Sequence, residues 1–373
     1  MPRVLHLYKD LFPPVYGGIE VVLGKLAASQ AERGWEVAVA VAGPVDREWG
    51  ERRKVETIQV GEWARVLSNP ISPGFFKVLR ERPYDLLHIH MPCPTAEMAA
   101  LFAGSRDVPW FATYQSDIVR QRISGALYAP LQDRFLSRCS AIYVSSENLL
   151  ASSPVLQRHR ERCLLAPLGI SPETPTEEDR AATAKVRKDY EGKPVVLFVG
   201  RFRWYKGLHV LIEAMDSVDA TLLVVGSGTP QQERALQGRL NNLNHPERIR
   251  FLGSVERLEP LLLAADVFCL PSTHRAEAFG YVLLEAFRLG LPAVTTELST
   301  GTSFVNEDGV TGRVALPSDA GSLASALNDV LSDPQRREAY GAAALRRVTE
   351  KFGLSQMVER ILEGYARAGL ALD

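Results

Sequence analysis

Short apolar runs alternate with longer segments whose apolar residues recur at helical spacing along most of the chain. Runs of about five apolar residues are typical of strands buried inside parallel sheets, and the longer segments predict helices. In the first half the pattern predicts helices over residues 19–33 and 95–103, and strands over residues 4–8, 35–41, 86–90, 110–114, 141–145 and 163–167. Strands that alternate with helices predict an α/β fold.

The alternation is interrupted over residues 172–194, where prolines surround the acidic run Glu177-Glu178-Asp179 and a polar helix. A change of this kind is typical of a domain boundary. A second series then predicts strands over residues 195–199, 221–225, 249–253, 265–270 and 292–296, of which 292–296 is predicted to be the last strand of the chain. The same series predicts helices over residues 208–215, 231–242, 258–264, 280–289, 323–331, 334–349 and 355–368. We expect domains over 1–171 and 172–354, with one cleft between their strand ends as the default binding site.

Composition narrows the class of protein. The 373 residues are 46% hydrophobic and 23% charged, with a net charge of −1, so electrostatics offers no argument for a nucleic-acid partner. The four cysteines form no C-x-x-C pair, which fits a reducing cytoplasm and predicts neither a zinc site nor a disulfide framework. No signal peptide is expected, and no apolar run approaches the ~20 residues that span a bilayer.

The most informative stretch is the polar loop 271–278, between the strand at 265–270 and the helix at 280–289. Glu277 stands at the start of this helix, and Glu285 lies about two turns further in. The unpaired amides around Ala278, Phe279 and Gly280 form an anion site. A carboxylate beside that site favours hydroxyls attached to the phosphate, as in a nucleotide-sugar. The alternative is that both glutamates are ordinary helix charges.

Arg201 and Lys206 share the loop after the strand at 195–199, flanked by Gly200 and Gly207. Two cations in one loop with a defined conformation, which the flanking glycines indicate, are suited to bind a diphosphate. Their charge would stabilise the diphosphate as a leaving group. A solvated basic loop is the alternative. The chain lacks a P-loop, a complete G-x-G-x-x-G, an H-E-x-x-H, a G-x-S-x-G and a D-x-D pair, so no metal-bridged diphosphate and no cofactor is indicated.

Further candidates follow strands of the first domain. Gly17 and Gly18 end the loop before the first helix and would let the backbone approach a phosphate, although glycines also occur there for steric reasons. Three polar residues follow the strand at 110–114, namely Gln115, Ser116 and Asp117. They are candidate site residues, and the alternative is that they form a simple turn.

Two other groups favour a structural interpretation. The histidines of the strands, His6, His88 and His90, are expected in the core or a cleft wall. The basic stretch 118–162 has two interpretations: a surface that faces a membrane or an anionic acceptor, or a plain solvated helix face.

Taken together, the motifs resemble those of the retaining GT-B glycosyltransferases called family four, which include many bacterial mannosyltransferases. The resemblance runs from Gly17-Gly18-Ile19-Glu20 to the C-terminal helices. Its most specific motif is Glu277-x7-Glu285, and Gly200-Arg201-Phe202-x-x-x-Lys206-Gly207 resembles the diphosphate loop of the family. Residues 296–306 and 308–312 are similar to the segment that follows the last strands.

The resemblance implies two Rossmann-like domains around a nucleotide-sugar, with the donor on the C-terminal domain and residues from about 355 crossing back to the N-terminal domain. Arg201 and Lys206 would hold the diphosphate, Glu277 the sugar hydroxyls and Glu285 the ribose, while Gly17 and Gly18 would approach the phosphate or acceptor. The expected reaction is metal-independent hexosyl transfer to a glycan or lipid-linked acceptor in the cytoplasm, with peripheral contact at the inner face of the membrane left open. Configuration at the anomeric carbon would be retained.

One position departs from the family, because Gln115 stands where relatives commonly have a histidine that contacts the donor sugar. Glutamine donates and accepts hydrogen bonds but does not titrate near neutral pH, so Gln115 is interpreted as a sugar contact and not as a base. The mannosyltransferase-like segments favour GDP-mannose, with a UDP-sugar as the alternative donor. An epimerase or phosphorylase on the same scaffold, or a nucleotide-sugar-binding protein with little activity, also stays open.

Overall fold

The computed structural model describes residues 1–66, 69–117, 122–190 and 192–370, with the backbone alone for 122–127. The chain divides into two compact units. The first consists of Met1–Gly169 with Leu354–Asp373, and the second is Ile170–Gly353. Each unit is organised around its own parallel sheet, which is the mixed α/β architecture that the alternating pattern predicted.

The first unit opens with a strand, a glycine-rich loop, a helix and a second strand. Its elements are β1 (Arg3–Tyr8), α1 (Gly18–Glu32), β2 (Glu36–Val41), α2 (Arg47–Arg53), β3 (Val55–Gln59), β4 (Ala64–Val66), β5 (Asn69–Ile71), α3 (Gly74–Glu81), β6 (Leu86–Met91), α4 (Pro94–Ala103), β7 (Trp110–Tyr114), α5 (Arg122–Arg138), β8 (Ala141–Val144), α6 (Glu147–Ser152), α7 (Pro154–Arg158) and β9 (Cys163–Leu165). Among the described residues seven of these strands form one sheet in the order β3-β2-β1-β6-β7-β8-β9, while β4 and β5 pair as a separate hairpin.

Burial explains why these segments are strands. Every residue of β6, β7 and β8 is buried, as are all but the first residue of β1. Strands covered on both faces are typical of parallel sheets. Helix α1 packs Val22, Leu23 and Leu26 inward and ends before Gly34, whose φ of 88° suits a glycine just beyond a helix.

The second unit repeats the alternation. Its elements are α8 (Glu177–Asp189), β10 (Val195–Val199), α9 (Leu208–Ala214), β11 (Thr221–Val225), α10 (Pro230–Leu240), β12 (Ile249–Gly253), α11 (Glu259–Ala264), β13 (Val267–Leu270), α12 (Tyr281–Phe287), β14 (Ala293–Thr296), α13 (Gly301–Val305), β15 (Gly312–Ala315), α14 (Ala320–Leu331) and α15 (Pro334–Lys351). Within the part of the chain that the structure describes, these six strands form one sheet in the order β12-β11-β10-β13-β14-β15.

The last helix, α16 (Leu354–Arg367), belongs to the first unit although it follows the second in sequence. It buries one face through Met357, Ile361 and Tyr365, which recur at helical spacing. The Tyr143 hydroxyl donates to the carbonyl of Ile361 at 2.7 Å. A Cβ at Gly364 would lie 2.2 Å from the same hydroxyl, so the helix approaches β8 as closely as its glycine allows.

A buried network of polar side chains holds α16 against the sheet. The Tyr365 hydroxyl lies 2.5 Å from His88 Nδ1 and accepts from Gln30 Nε2 at 3.3 Å. His6 Nε2 lies 2.7 Å from Gln30 Oε1, and His6 Nδ1 lies 3.2 Å from His90 Nε2. Hydrogen-bonded buried polar groups of this kind specify one arrangement of the elements that carry them.

The structure also contains elements that the hydrophobic pattern missed. The strand at 292–296 was expected to be the last, but β15 follows it and pairs with β14. That prediction was wrong because β15 has only four residues and two of them are half-buried, so its apolar signal is weak. Helix α13 lies in a segment for which the pattern predicted no helix, since its five residues are too few to show a period. No helix in the described residues combines the length and apolar character needed to cross a bilayer.

We predict that the histidine network makes the first unit sensitive to acid. Burial lowers the pKa of His6 to about 4, and a hydrogen bond to Gln30 only partly opposes this. Burial also lowers the pKa of His88 and His90. A pKa that is lower in the folded than in the unfolded protein means that the unfolded chain binds more protons. The free energy of unfolding therefore has its full value above about pH 6.5 and falls as the pH decreases towards 4. For His6 alone, the free energy of unfolding decreases by about 3 kcal/mol.

Urea unfolding at pH 7.5, 6.0 and 5.0 measures this loss. Tryptophan fluorescence is a suitable signal, because Trp35 lies 5.4 Å from the Tyr365 ring. The variant His6→Gln should flatten the pH dependence, whereas His245→Gln at a half-exposed side chain should leave it unchanged. Equal pH dependence in the His6→Gln and wild-type proteins would contradict the prediction.

Candidate functional site

The predicted site residues of the second unit follow two neighbouring strands. Strand β10 pairs with β11 on one side and with β13 on the other, so chain order reverses between β10 and β13. Ligands of open α/β sheets bind beyond the carboxyl ends of the strands at such a switch point. The loop with Arg201 and Lys206 follows β10, and the loop with Glu277 follows β13.

Glycine sets how closely these two loops approach each other. Residues Trp204–Lys206 form a 3-10 turn that ends at Gly207, whose φ is 69°. A Cβ at Gly207 would lie 1.8 Å from the carbonyl oxygen of Pro271, so neither the conformation nor the space allows a side chain. The Thr273 amide also donates to the carbonyl of Tyr205 at 2.7 Å. The two loops therefore form one packed surface.

This packing joins Lys206 to Glu277. Lys206 Nζ lies 2.5 Å from Glu277 Oε2, with the side chains 14% and 9% exposed. Burial is the largest influence and lowers the pKa of Lys206, but the Glu277 carboxylate and Tyr205 together outweigh it, and the net effect is a raised pKa. Lys206 is therefore kept charged although it is nearly buried. The ammonium carries three donors, and one of them meets Glu277.

Hydroxyl side chains hold Glu277 in place. Ser272 Oγ donates to Glu277 Oε2 at 3.2 Å, and Thr300 Oγ1 donates to the carbonyl of Glu277 at 2.8 Å. The Gly301 amide donates to the carbonyl of Ala278 at 2.7 Å. The hydrophobic pattern gave no role to Ser272 and Thr300. For Thr300 the available signal was the run of small polar residues after β14, which is similar to the family segment at 296–306.

Helix α12 begins at Tyr281, one residue later than predicted. Gly280 is its N-cap with a φ of 76°, a left-handed conformation that separates the helix from the loop before it. The amides of Ala278 and Phe279, which we expected to contribute to an anion site at the start of this helix, therefore belong to the loop before it. Glu285 lies within α12 and is half-buried.

Arg201 lies at the exposed side of the same loop. Its charge opposes protonation of Lys206, which places the two cations within electrostatic reach of each other. The loop therefore presents one buried and one exposed positive charge after β10. A diphosphate carries two negative groups that this pair would match.

The predicted residues of the first unit lie beyond the carboxyl ends of β1 and β7. Gly17 is the N-cap of α1 and Gly18 its first residue, and the carbonyl of Gly17 accepts from the amide of Val21 at 2.9 Å. The φ of Gly17 is −170°, which is ordinary extended backbone. A Cβ there would lie 2.2 Å from Glu20 Oε2, at the movable end of a flexible side chain. The conformation of Gly17 therefore does not itself demand glycine.

Gln115 follows β7 and is 3% exposed. Its backbone N–H donates to the carbonyl of Met91 at 3.3 Å, but its side-chain Nε2 meets no acceptor among the described residues. A buried donor without a partner costs about 1–3 kcal/mol, so a ligand oxygen here would be favourable. Asp117 instead accepts from Tyr114 at 2.7 Å and Ser153 at 2.6 Å, which indicates a bracing role.

The basic stretch 118–162 is only partly described, since residues 118–121 lie outside the described ranges. Its described arginines include several that contact the unit itself. Arg138 covers the Trp110 ring at 4.8 Å, Arg158 pairs with Asp133 at 3.2 Å, and Arg162 donates to the carbonyl of Cys139 at 3.0 Å. These three arginines therefore have partners within the first unit, and the choice between a membrane-facing or anionic surface and a plain solvated helix face stays open.

One group of potential metal ligands occurs among the described residues, formed by His6, His88 and His90. Their candidate nitrogen atoms lie within 4.8 Å of one another. Both nitrogens of His88 already have partners, since Nδ1 meets Tyr365 and Nε2 lies 2.7 Å from Thr113 Oγ1. A metal ion would have to break this network, so we interpret the group as a structural core.

Known protein families match both units. Residues 17–169 match the family described as "Glycosyl transferase 4-like domain", and residues 179–347 match "Glycosyl transferases group 1". The second match contains the loop with Arg201 and Lys206 and the loop with Glu277, and the first contains Gly17, Gly18 and Gln115.

Relatives and solved structures agree with these matches. The chain is 34% identical over 370 residues to O-antigen chain mannosyltransferase C of Escherichia coli, covering 97% of this chain and 98% of that one. It is 31% identical to the D-rhamnosyltransferase WbpZ of Pseudomonas aeruginosa, covering 94% and 92%. The crystal structure of Anabaena HepE with UDP and glucose has a TM-score of 0.80 at 21% identity, covering 98% and 100%, and shares the fold. The chain therefore belongs to the group 1 glycosyltransferases with the GT-B fold, and its relatives include mannosyltransferases.

Proposed function

We propose that the protein is a retaining, metal-independent glycosyltransferase that moves mannose from GDP-mannose to a glycan or glycolipid acceptor. The observation that carries the proposal is the buried contact between Lys206 and Glu277 at the switch point of the second sheet. It places a fixed cation and a fixed carboxylate side by side. A nucleotide-sugar likewise carries a diphosphate next to a hexose with several hydroxyls.

Each charge has a role in the reaction. Arg201 and Lys206 bind the diphosphate and stabilise the charge that grows on it as the bond from C1 to the phosphate oxygen breaks. Because these cations supply positive charge, the proposal needs no metal ion. Glu277 accepts hydrogen bonds from hexose hydroxyls, and Glu285 from the ribose.

The acceptor oxygen then bonds to C1 on the face that the phosphate leaves. Its proton passes to an oxygen of the departing phosphate, so no protein base is required. This route retains the configuration at C1, and it is consistent with Gln115, which does not titrate near neutral pH, in the place where relatives commonly carry histidine. Retention is supported by the resemblance of the two glutamates and the basic loop to those of retaining enzymes.

Mannose is favoured by the relatives. One is named as a mannosyltransferase and another as a D-rhamnosyltransferase, and D-rhamnose is 6-deoxy-D-mannose. A hydrogen-bond donor at Gln115 Nε2 would serve a sugar hydroxyl close to the reacting carbon. The four free cysteines fit a reducing compartment such as the cytoplasm.

We predict that GDP-mannose raises the melting temperature more than UDP-glucose or ADP-glucose does. A ligand at about 100 times its dissociation constant adds about 2.7 kcal/mol to the free energy of unfolding. The screen should include GDP and UDP alone, to separate recognition of the base from recognition of the sugar. A larger shift with UDP-glucose than with GDP-mannose would reassign the donor, and no shift with any nucleotide-sugar would refute the proposal.

We predict that Lys206→Gln lowers kcat/KM about 10²–10³-fold, the usual loss when one stabilising donor is removed. The variant also leaves the Glu277 carboxylate buried without its cation, which destabilises the protein. The double variant Lys206→Gln with Glu277→Gln removes both charges, so it should recover stability but not turnover. The exposed Lys185 supplies the control variant Lys185→Ala. Full activity in either Lys206 variant would refute the role of Lys206.

We predict that Gln115→Ala weakens binding of GDP-mannose about tenfold, because one hydrogen bond to the hexose is lost. Binding of GDP should not change, since GDP has no hexose. Isothermal titration with the two ligands measures both values. An equal loss for GDP and GDP-mannose would contradict a sugar contact. Higher turnover in Gln115→His with an unchanged donor would mark the glutamine as a loss of activity in this chain.

A further inference from the structure

Two buried polar side chains at the carboxyl edge of the first sheet lack hydrogen-bond partners. Gln115 follows β7 and Ser145 follows β8, and the two residues are 3% and 2% exposed. Neither Gln115 Nε2 nor Ser145 Oγ meets a partner among the described residues, so the two groups do not bond to each other. Buried polar side-chain atoms are nearly always hydrogen-bonded in folded proteins. Two exceptions at the ends of neighbouring strands therefore call for an explanation.

The sheet places these two residues at the same level. Strands β7 and β8 are parallel, and the last pair of their register is Tyr114 with Val144. Gln115 and Ser145 are the next residues along the two strands. The N–H of Gln115 still donates to the carbonyl of Met91 on β6, so the backbone ladder continues through this position. Neighbouring strands lie about 4.8 Å apart, which brings the two residues side by side.

Ring contacts identify the face of the sheet that these residues share. The Phe111 and Tyr143 rings stack at 6.1 Å, and they lie 4.6 and 6.2 Å from the Tyr365 ring of α16. Side chains alternate between the two faces along a strand. Gln115 comes four residues after Phe111, and Ser145 comes two residues after Tyr143. Both therefore project to this face, and the two unpartnered groups point in the same direction.

Hydrogen bonds tie together the segments that follow the two strands. The Tyr114 hydroxyl donates to Asp117 Oδ1 at 2.7 Å, and Ser153 Oγ donates to the same oxygen at 2.6 Å. Ser153 is the N-cap of α7, so the loop after β7 is joined to the segment after β8. Gln115 and Ser145 are therefore held at their positions by contacts that do not involve their own side chains.

The neighbouring serine shows what a structural role looks like at this edge. Ser146 is also buried, but it is the N-cap of α6, and its Oγ accepts from the N–H of Leu149 at 3.1 Å. The hydroxyl of Ser145 has no such function in the fold. A buried hydroxyl without a partner lowers stability, and a cost of this kind is typical of a site that waits for a ligand.

The two groups offer complementary hydrogen bonds. The amide nitrogen of Gln115 only donates, whereas the hydroxyl of Ser145 both donates and accepts. A sugar hydroxyl also does both, so it can accept from Gln115 and donate to Ser145 at once. Ser145 has a single side-chain torsion with three staggered positions, which lets its hydroxyl turn towards a ligand. Because both groups are uncharged, they suit a neutral polyol better than a phosphate.

We propose that Ser145 is a second specificity residue for the donor hexose, acting beside Gln115. This inference rests on the proposed function, in which Gln115 Nε2 serves a hydroxyl of that hexose. Ser145 Oγ accepts from the same hydroxyl or binds its neighbour on the ring. The pair rejects a sugar that lacks the hydroxyl, because both buried groups would then stay unpartnered.

Thermal unfolding without a ligand tests whether the hydroxyl of Ser145 is unused by the fold. Ser145→Ala removes a buried group that has no partner, so the melting temperature should rise by about 2–4 °C. The matched control is Ser146→Ala, which should lower the melting temperature because α6 loses its cap. A melting temperature that stays the same or falls in Ser145→Ala would overturn the proposal.

Isothermal titration with GDP-mannose and with GDP tests the contact itself. Ser145→Ala should bind GDP-mannose about fivefold more weakly than the wild type, the loss expected for one neutral hydrogen bond. Its affinity for GDP should not change, and Ser146→Ala should bind both ligands like the wild type. Equal affinity of Ser145→Ala and the wild type for GDP-mannose, or the same loss in Ser146→Ala, would overturn the role of Ser145.

The same titrations separate failure of this inference from failure of the proposed function. If neither GDP-mannose nor UDP-glucose binds the wild type, the proposed function fails. If GDP-mannose binds the wild type and Ser145→Ala binds it equally well, only the role of Ser145 fails. If UDP-glucose is the ligand that binds, the comparison of Ser145→Ala with Ser146→Ala is made with UDP-glucose and UDP, and the same outcomes decide it.

Discussion

The site in the second unit depends on one buried ion pair, Lys206 with Glu277. Two neighbouring charges taken out of water are tolerated only when each satisfies the other and additional hydrogen bonds complete the arrangement. Here Ser272 donates to the carboxylate, Thr300 donates to the backbone carbonyl of Glu277, and Gly207 permits the close approach of the two loops. The pair therefore joins the two loops and keeps the cation charged.

The first unit uses a neutral network for an equivalent purpose. Its buried histidines, with Gln30 and Tyr365, connect the sheet to a helix that returns from the far end of the sequence. Because the imidazoles are buried, their neutral forms are favoured, and hydrogen bonds replace charge as the source of specificity. The two units thus use different polar chemistry, a histidine network that holds a helix in the first and an ion pair that joins two loops in the second, while sharing the same alternation of strand and helix.

Gln115 stands where the resemblance to the family leads us to expect a histidine. Its backbone is held after β7, and its side-chain nitrogen is buried without an acceptor among the described residues. A titratable residue at this position would have a charge that varies near neutral pH, whereas an amide offers a constant donor. Under the proposed function this donor would serve a sugar hydroxyl, and the leaving group would take the proton of the acceptor.

The amino-acid sequence by itself determined the class of fold and pointed to the loops that carry the candidate site. Runs of buried residues predict parallel strands, and polar residues after those strands predict a site, because both signals are local. For this reason the sequence could identify Arg201, Lys206 and Glu277 as candidate site residues. Short or half-buried elements such as β15 and α13 were not, since four or five residues carry too little periodicity.

Only the tertiary structure decided which residues meet. The 2.5 Å contact of Lys206 with Glu277, separated by 71 positions, follows from β10 and β13 being neighbours in the sheet. The contact of Tyr365 with His88, separated by 277 positions, follows from α16 packing on the first unit. The start of α12 depends on the left-handed conformation of Gly280. Pairings of this kind arise from strand order and close packing, which no local pattern in a chain encodes.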